Sequence, residues 1–295
     1  MTKKIYSFIL IFLLPVLFIN GTGFSNSYSG SATVEYKNIE GVAPDLLSLD
    51  IYYYKNVKTL KPVVIYIHGG GWFEGDKKNK LYNKKSFFSS LGYIFVSVNY
   101  RLSPSTFDLA PGRIMYPVHN NDVADAARWI YDNIGNYGGD REKIVLIGHS
   151  AGAHLVSLTG THEGFLPERG IPLNAIKGVA SIDTEGYDVG ANAGSGSKIY
   201  INAFGTDPVV WKDASPIYNI YPGKDYPAFF IAKRGTAKRM GLADRFISIL
   251  KENGVVVFEI NGSIYDHAGI NEAIGAPGET LISGALKDFL EYCFK

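Results

Sequence analysis

Two stretches near the start of the patterned chain alternate apolar and polar residues, SATVEYKNI at 31–39 and LLSLDIYYY at 46–54. A period of two predicts half-buried strands near a sheet edge. The pattern then changes to short, continuous apolar runs: PVVIYIH (62–68), YIFVSVNY (93–100), KIVLIGH (143–149), KGVASID (177–183), PAFFIAK (227–233) and VVVFEI (255–260). Such runs predict strands covered on both faces. Helical spacing lies between and after them, over 79–91, 120–134, the stretch following Ser150, 243–253 and 279–293. Alternating strands and helices predict an α/β fold with a mostly parallel sheet, helices on both faces and an antiparallel pair at its start. Residues 184–226, rich in Gly, Asn, Ser, Tyr and Pro, carry no strong period. They are too long for a plain connection and are expected to form an irregular, cap-like excursion over the carboxyl edge of the sheet.

The first segment does not fit that rhythm. Lys3 and Lys4 precede an apolar run from Ile5 to Ile19, broken by Pro15 and followed by GTGFSNSYSG. This is the layout of a secretory signal peptide over 1–25, with one domain over 26–295 and a secreted or periplasmic location as the expectation. The run falls short of the ~20 apolar residues that span a bilayer, so no stable membrane span is expected once the leader is removed.

Composition narrows the function classes. The chain has 295 residues, 46% of them apolar, enough for a full core, and 29 basic residues stand against 28 acidic ones. With no basic stripe, a nucleic-acid partner is not expected and a small molecule is. Cys293 is the single cysteine, which excludes an intrachain disulfide and a cysteine-based metal cluster.

Two motifs carry candidate chemistry. GHSAG at 148–152 directly follows the strand pattern KIVLI and opens a helix. In a chain with 33 glycines a G-x-S-x-G match alone decides little. Its strand–turn–helix setting is what a nucleophilic serine needs: small neighbours let strand and helix pass closely while the hydroxyl of Ser150 projects, and the N–H of Ala151 can bind an oxyanion. Upstream, HGGGW at 68–72 closes another buried strand. There the N–H groups of Gly70 and Gly71 could serve a developing oxyanion, and Trp72 and His149 are candidate walls of a substrate pocket.

With HGGGW at His68–Trp72, VNYRLSP at Val98–Pro104 and GHSAG at Gly148–Gly152, the sequence resembles the α/β-hydrolase esterases of the hormone-sensitive-lipase and arylformamidase type. The likeness runs over about 45–290 and is densest over 62–160. It implies an α/β-hydrolase fold and a carboxylic ester hydrolase using Ser, His and an acid, with no metal or organic cofactor. The base in this fold follows the last strand. Of the six histidines, only His267, in YDHAGIN, stands there. His68 belongs to the glycine motif, His119 precedes the serine, His149 adjoins it, and His154 and His162 suit packing or surface positions.

At the acid the match breaks. The family reads like GTAD after the strand corresponding to PAFFIAK, whereas here Gly235, Thr236 and Ala237 are followed by Lys238 and Arg239. A cation cannot accept the imidazole N–H. A carboxylate at the end of the preceding strand can reach the same imidazole, which ranks Asp183 first, with Asp244 and Glu185 as alternatives. Asp266, Asp188 and Asp122 are read as turn, solvated or structural groups. Analogy within the family points to a short-acyl or acetyl ester, carried for example on a sugar or polymer. A serine peptidase or amidase of the same fold and a non-catalytic hydrolase-like binding protein remain the rivals.

Overall fold

A computed structural model describes residues 27–295, so the expected leader at 1–25 lies outside the described residues. Eight strands form one sheet in the order β1-β2-β4-β3-β5-β6-β7-β8. They are β1 (Gly30–Glu35), β2 (Ser48–Tyr53), β3 (Lys61–Ile67), β4 (Ile94–Val98), β5 (Gly139–His149), β6 (Ile176–Ile182), β7 (Ala228–Lys233) and β8 (Val257–Asn261). β1 and β2 pair antiparallel, as do β2 and β4, and every later pairing is parallel.

The helices are α1 (Tyr82–Ser90), α2 (Val118–Asn133), α3 (Ala151–Thr159), α4 (Val189–Ala193), α5 (Lys198–Phe204), α6 (Pro208–Asp213), α7 (Ala237–Glu252), α8 (Gly269–Ala273) and α9 (Leu281–Cys293). Because successive side chains of a strand point to opposite faces, β3 feeds two cores. Val63, Ile65 and Ile67 pack with Val123 of α2, Leu155 of α3 and Phe246 of α7. Val64 and Tyr66 pack with Phe88 of α1, Ile270 of α8 and Phe289 of α9. The sheet is therefore covered on both faces, and the apolar runs are continuous because both faces need them.

Three local expectations change. β1 alternates intermediate and exposed positions as an edge strand does, but β2 is buried at Ser48, Leu49, Asp50 and Ile51. Its polar face is covered: Thr33 donates to Asp50 (2.8 Å), and the buried Lys77 donates to Ser48 (2.8 Å). The run VVVFEI predicts a strand covered on both faces, yet β8 is the far edge of the sheet and only partly buried. An apolar run alone does not report how many neighbours a strand has. The 184–226 segment is not wholly irregular, since it holds α4, α5 and α6. At five to seven residues each, these helices are too short to display a period.

Candidate active site

The carboxyl ends of β3, β5 and β6 meet beneath a cavity of about 560 Å³. Between β5 and α3 the chain makes a single-residue turn at Ser150, which has φ 56° and ψ −119°. A non-glycine residue in this region is strained, so the surroundings must hold it there. They do so by close approach. A Cβ on Gly148 would lie 2.2 Å from the carbonyl oxygen of Gly152, and one on Gly152 would lie 2.2 Å from that of Ile67. The Ser150 N–H donates to Ile182 O at 3.0 Å, extending the β5–β6 ladder by one step.

The second turn, after β3, runs through Gly70 (φ 116°), Gly71 (φ 57°) and Trp72 (φ 64°). Trp72 is pinned by the Ser103 N–H on its carbonyl (2.8 Å) and by edge contacts with His154, Tyr200 and Phe204. His68 stacks on Tyr100 at 4.5 Å, and burial lowers its pKa. The N–H groups of Gly70, Gly71 and Ala151 have no hydrogen-bond partner among the described residues. All three residues line the cavity beside Ser150.

His267 arrives from the loop between β8 and α8. Its Nδ1 donates to Asp183 Oδ2 at 2.6 Å, because an ionised carboxylate can only accept. Nε2 is then the acceptor for the Ser150 hydroxyl, at 2.9 Å. The loop and the helix that follows it are held from several sides. His149 Nε2 donates to the His267 carbonyl (2.8 Å), Tyr66 donates to Asn271 Oδ1 (2.9 Å), and Lys84 Nζ donates to Asn271 O (2.7 Å). Burial first, and the neighbouring His267 second, push the His149 pKa down to about 3, so this tether stays neutral. Burial likewise brings Lys84 down to about 7.

Of the three candidate acids, the structure brings only Asp183 to His267. Asp244 pairs with Lys233 on the exposed side of α7, and Glu185 lies 3.6 Å from Arg239 in the cavity wall. Asp266 accepts from the Gly269 N–H, Asp188 caps α4, and Asp122 binds Arg101 through both oxygens. Asp183 itself is 1% exposed and has φ 52°. Burial would raise its pKa, but the His267 hydrogen bond and the Arg239 guanidinium outweigh that and hold the carboxyl below the ordinary carboxylate range.

Trp72 and His149 also line the cavity. His119 binds Ser103 (3.0 Å), His154 donates to Ala214 O (2.8 Å), and His162 lies 3.1 Å from Asp213. His149, Asp183 and His267 each offer a ligand atom within 4.8 Å of one another. Asp183 already accepts from two guanidinium groups and an imidazole, an arrangement suited to orienting the imidazole rather than to ligating a metal ion.

Sequence reasoning missed the two arginines. Arg234 Nη1 donates to Asp183 Oδ2 (3.1 Å), and Arg239 Nε donates to Oδ1 (2.8 Å). One local signal existed. The first turn of α7 holds Lys238 and Arg239 and no acid, against the preference of a helix N-terminus for negative charge.

The chain is similar to several known proteins. Esterase LipQ of Mycobacterium tuberculosis is 41% identical over 97 residues, covering 33% of this chain and 21% of that protein. The chain spans about a fifth of the length of the curated relatives it matches first. A truncated carbohydrate esterase from gut microbiota superposes with a TM-score of 0.72 at 18% identity, over 91% of this chain and 97% of that one. Esterase B from Lactobacillus rhamnosis does so at 0.70 and 19%, over 90% and 87%. These structures establish the α/β-hydrolase fold. Residues 49–240, nearly two thirds of the chain, match the BD-FAE family, and they span the glycine turn, the serine elbow and Asp183. The chain therefore belongs to the BD-FAE family.

Proposed function

We propose that the protein hydrolyses carboxylic esters through Ser150, His267 and Asp183. The observation that carries this reading is the unbroken line of hydrogen bonds, 2.9 Å from Ser150 to His267 and 2.6 Å from His267 to Asp183, beside three unpartnered N–H groups. His267 takes the hydroxyl proton as Ser150 attacks the carbonyl carbon. The N–H groups of Gly70, Gly71 and Ala151 receive the oxyanion. His267 then protonates the departing alcohol, and water repeats the sequence on the acyl-enzyme. Asp183 keeps the proton on Nδ1 and stabilises the imidazolium. None of these steps calls for a metal or an organic cofactor.

The name esterase carried by LipQ and by esterase B supports an ester rather than an amide substrate. A binding protein descended from a hydrolase would have no need to keep Ser150 strained and in line with a base. The ester is read as short-acyl, carried on a small molecule or on a sugar or polymer. The apolar leader behind Lys3 and Lys4 is read as an export signal.

A fluorophosphonate probe is expected to label wild-type protein at Ser150, and Ser150→Ala is expected to abolish both labelling and turnover of a p-nitrophenyl acetate substrate. Absence of labelling in folded wild-type protein would overturn the hydrolase reading. Preference for long acyl chains across a p-nitrophenyl ester series would overturn the acyl-size reading alone.

A further inference from the structure

We propose that Arg239 is the positioning residue of the acid: its guanidinium grips Asp183 by side chain and main chain together and so sets the direction in which the carboxylate meets His267. This inference rests on the Ser150–His267–Asp183 reading.

Arg239 Nε donates to Asp183 Oδ1 at 2.8 Å, while Nη2 donates to the main-chain carbonyl of the same residue at 2.9 Å. The fork thus closes a ring through the Asp183 side chain and backbone. Rotation about the side-chain torsions of Asp183 would break one arm of it. Arg234 adds the link to the base: Nη1 donates to Oδ2 (3.1 Å) and Nε to the Tyr265 carbonyl (3.1 Å), two residues before His267. The free lone pair of Oδ2 is left facing Nδ1.

The backbone also needs this grip. Asp183 stands at φ 52° with Ser181 and Glu185, not glycines, two residues to either side. Its N–H is tied to Ala232 O (2.8 Å), and Arg239 ties its carbonyl, so the strained conformation is fixed from both ends. The position of Arg239 is hard to explain otherwise. It lies in the first turn of α7, where a cation opposes the helix dipole and an acidic residue would be favoured. In this chain the segment GTAKR carries a cation that grips an acid borne on the neighbouring strand.

Lysine cannot replace this geometry, since an ammonium is a point donor and cannot span a carboxylate oxygen and a carbonyl in one plane. Arg239 also lines the cavity, with Nη1 3.6 Å from Glu185, so a small guanidinium compound can reach the site it would vacate.

The test is a kinetic cycle on the full protein with a p-nitrophenyl ester. Arg239→Met is expected to lower kcat about 30- to 100-fold, the scale of a misplacement near 1 Å, with KM changed less than about threefold. Arg239→Lys keeps the charge, covers the case in which the methionine variant fails to fold, and is expected to remain at least about 10-fold impaired. In an Asp183→Asn background, Arg239→Met is expected to add less than about a threefold further loss, because the arginine acts through the acid. Millimolar methylguanidinium is expected to raise kcat of Arg239→Ala several-fold, and to leave Asp183→Asn/Arg239→Ala unchanged.

A kcat within about threefold of wild type in Arg239→Met or Arg239→Lys overturns the inference. So does a loss that multiplies fully with Asp183→Asn, or one confined to KM, since either makes Arg239 a substrate contact. If wild-type protein is labelled by the fluorophosphonate and turns over ester while Arg239 proves dispensable, only this inference falls. If wild-type protein does neither, the proposed function falls and takes this inference with it.

Discussion

Ser150 and Asp183 occupy equivalent places on adjacent parallel strands. His149 pairs with Ile182 in the β5–β6 register, so the next residue of each chain is the one that leaves the sheet. Both have left-handed backbones, φ 56° and φ 52°, and each N–H bonds to a carbonyl at the end of the next strand, Ile182 of β6 for the serine and Ala232, the penultimate residue of β7, for the aspartate. What holds them differs. The serine is held by steric means, with glycines on both sides that allow strand, turn and helix to touch. The aspartate has Ser181 and Glu185 where the serine has glycines, two residues to either side, and is held by two guanidinium groups. The nucleophile thus depends on shape and the acid on charge, and the two should fail in different ways.

The largest expected effect breaks the steric side. Gly152→Ala places a methyl 2.2 Å from the Ile67 carbonyl and 2.5 Å from that of His68, both of them main chain that cannot step aside. Strain of this kind costs about 3 kcal/mol or more and displaces the elbow. Loss of fluorophosphonate labelling together with a lower urea midpoint, both insensitive to pH between about 5 and 8, would mark a steric failure. Retention of both would show that the elbow can open without the glycine.

The charged side should fail with pH. Asp183→Asn removes the charge that two arginines and His267 share and turns one of the two acceptor oxygens into an NH2 donor. It is expected to lower kcat by about 10⁴-fold, the scale seen when a triad acid is made neutral. It should also cost on the order of 2 kcal/mol of stability near pH 7 through lost charge-assisted hydrogen bonds. The sign follows from the lowered carboxyl pKa of Asp183. A carboxyl more acidic in the folded than in the unfolded chain stabilises the fold above its unfolded value of about 4, and that contribution disappears as pH falls through the folded value. The gap in urea midpoint between wild type and Asp183→Asn should therefore be full at pH 6 to 7 and shrink below about pH 4. A gap that stays constant down to pH 2 would mean that the arginines do not act through carboxylate charge.

The same contrast explains what the residue pattern could convey. The strands, the elbow and the glycine turn are local features: apolar runs, a glycine on either side of a serine, three glycines after a strand. His267 follows because it stands alone after β8. The acid is different, since its identity depends on contacts among residues 183, 234, 239 and 267, and no short window holds them. Asp183 could be ranked above Asp244 and Glu185 because it ends a strand, but its clamp could not be seen. The arginines left one mark, a first helical turn of the wrong sign, which becomes meaningful only when the opposing carboxylate is known. The apolar run of β8 points to burial on both faces for a related reason, since hydrophobicity reports what a strand can tolerate and not which neighbours it has.

The smallest expected effect concerns Lys238, which stands where the resemblance places an acid. Its ammonium lies 3.4 Å from the Ala191 carbonyl at an exposed position of α7. Successive residues on a helix point about 100° apart, so a turn that aims Arg239 at Asp183 aims residue 238 elsewhere. Lys238→Asp alone should change kcat/KM by less than about twofold, as a surface substitution does. The informative variant is Lys238→Asp combined with Asp183→Asn. If position alone made an acid, the new carboxylate would restore the histidine and recover much of the lost rate. The expectation is that it does not, because Arg234 and Arg239 lie against Asp183 on that side of His267 and would bind the new carboxylate first. A recovery of 10-fold or more, on the order of 1.4 kcal/mol in the barrier, would show that the loop after β7 can still deliver an acid. The arginine clamp would then be an addition to a working site, not the condition for it.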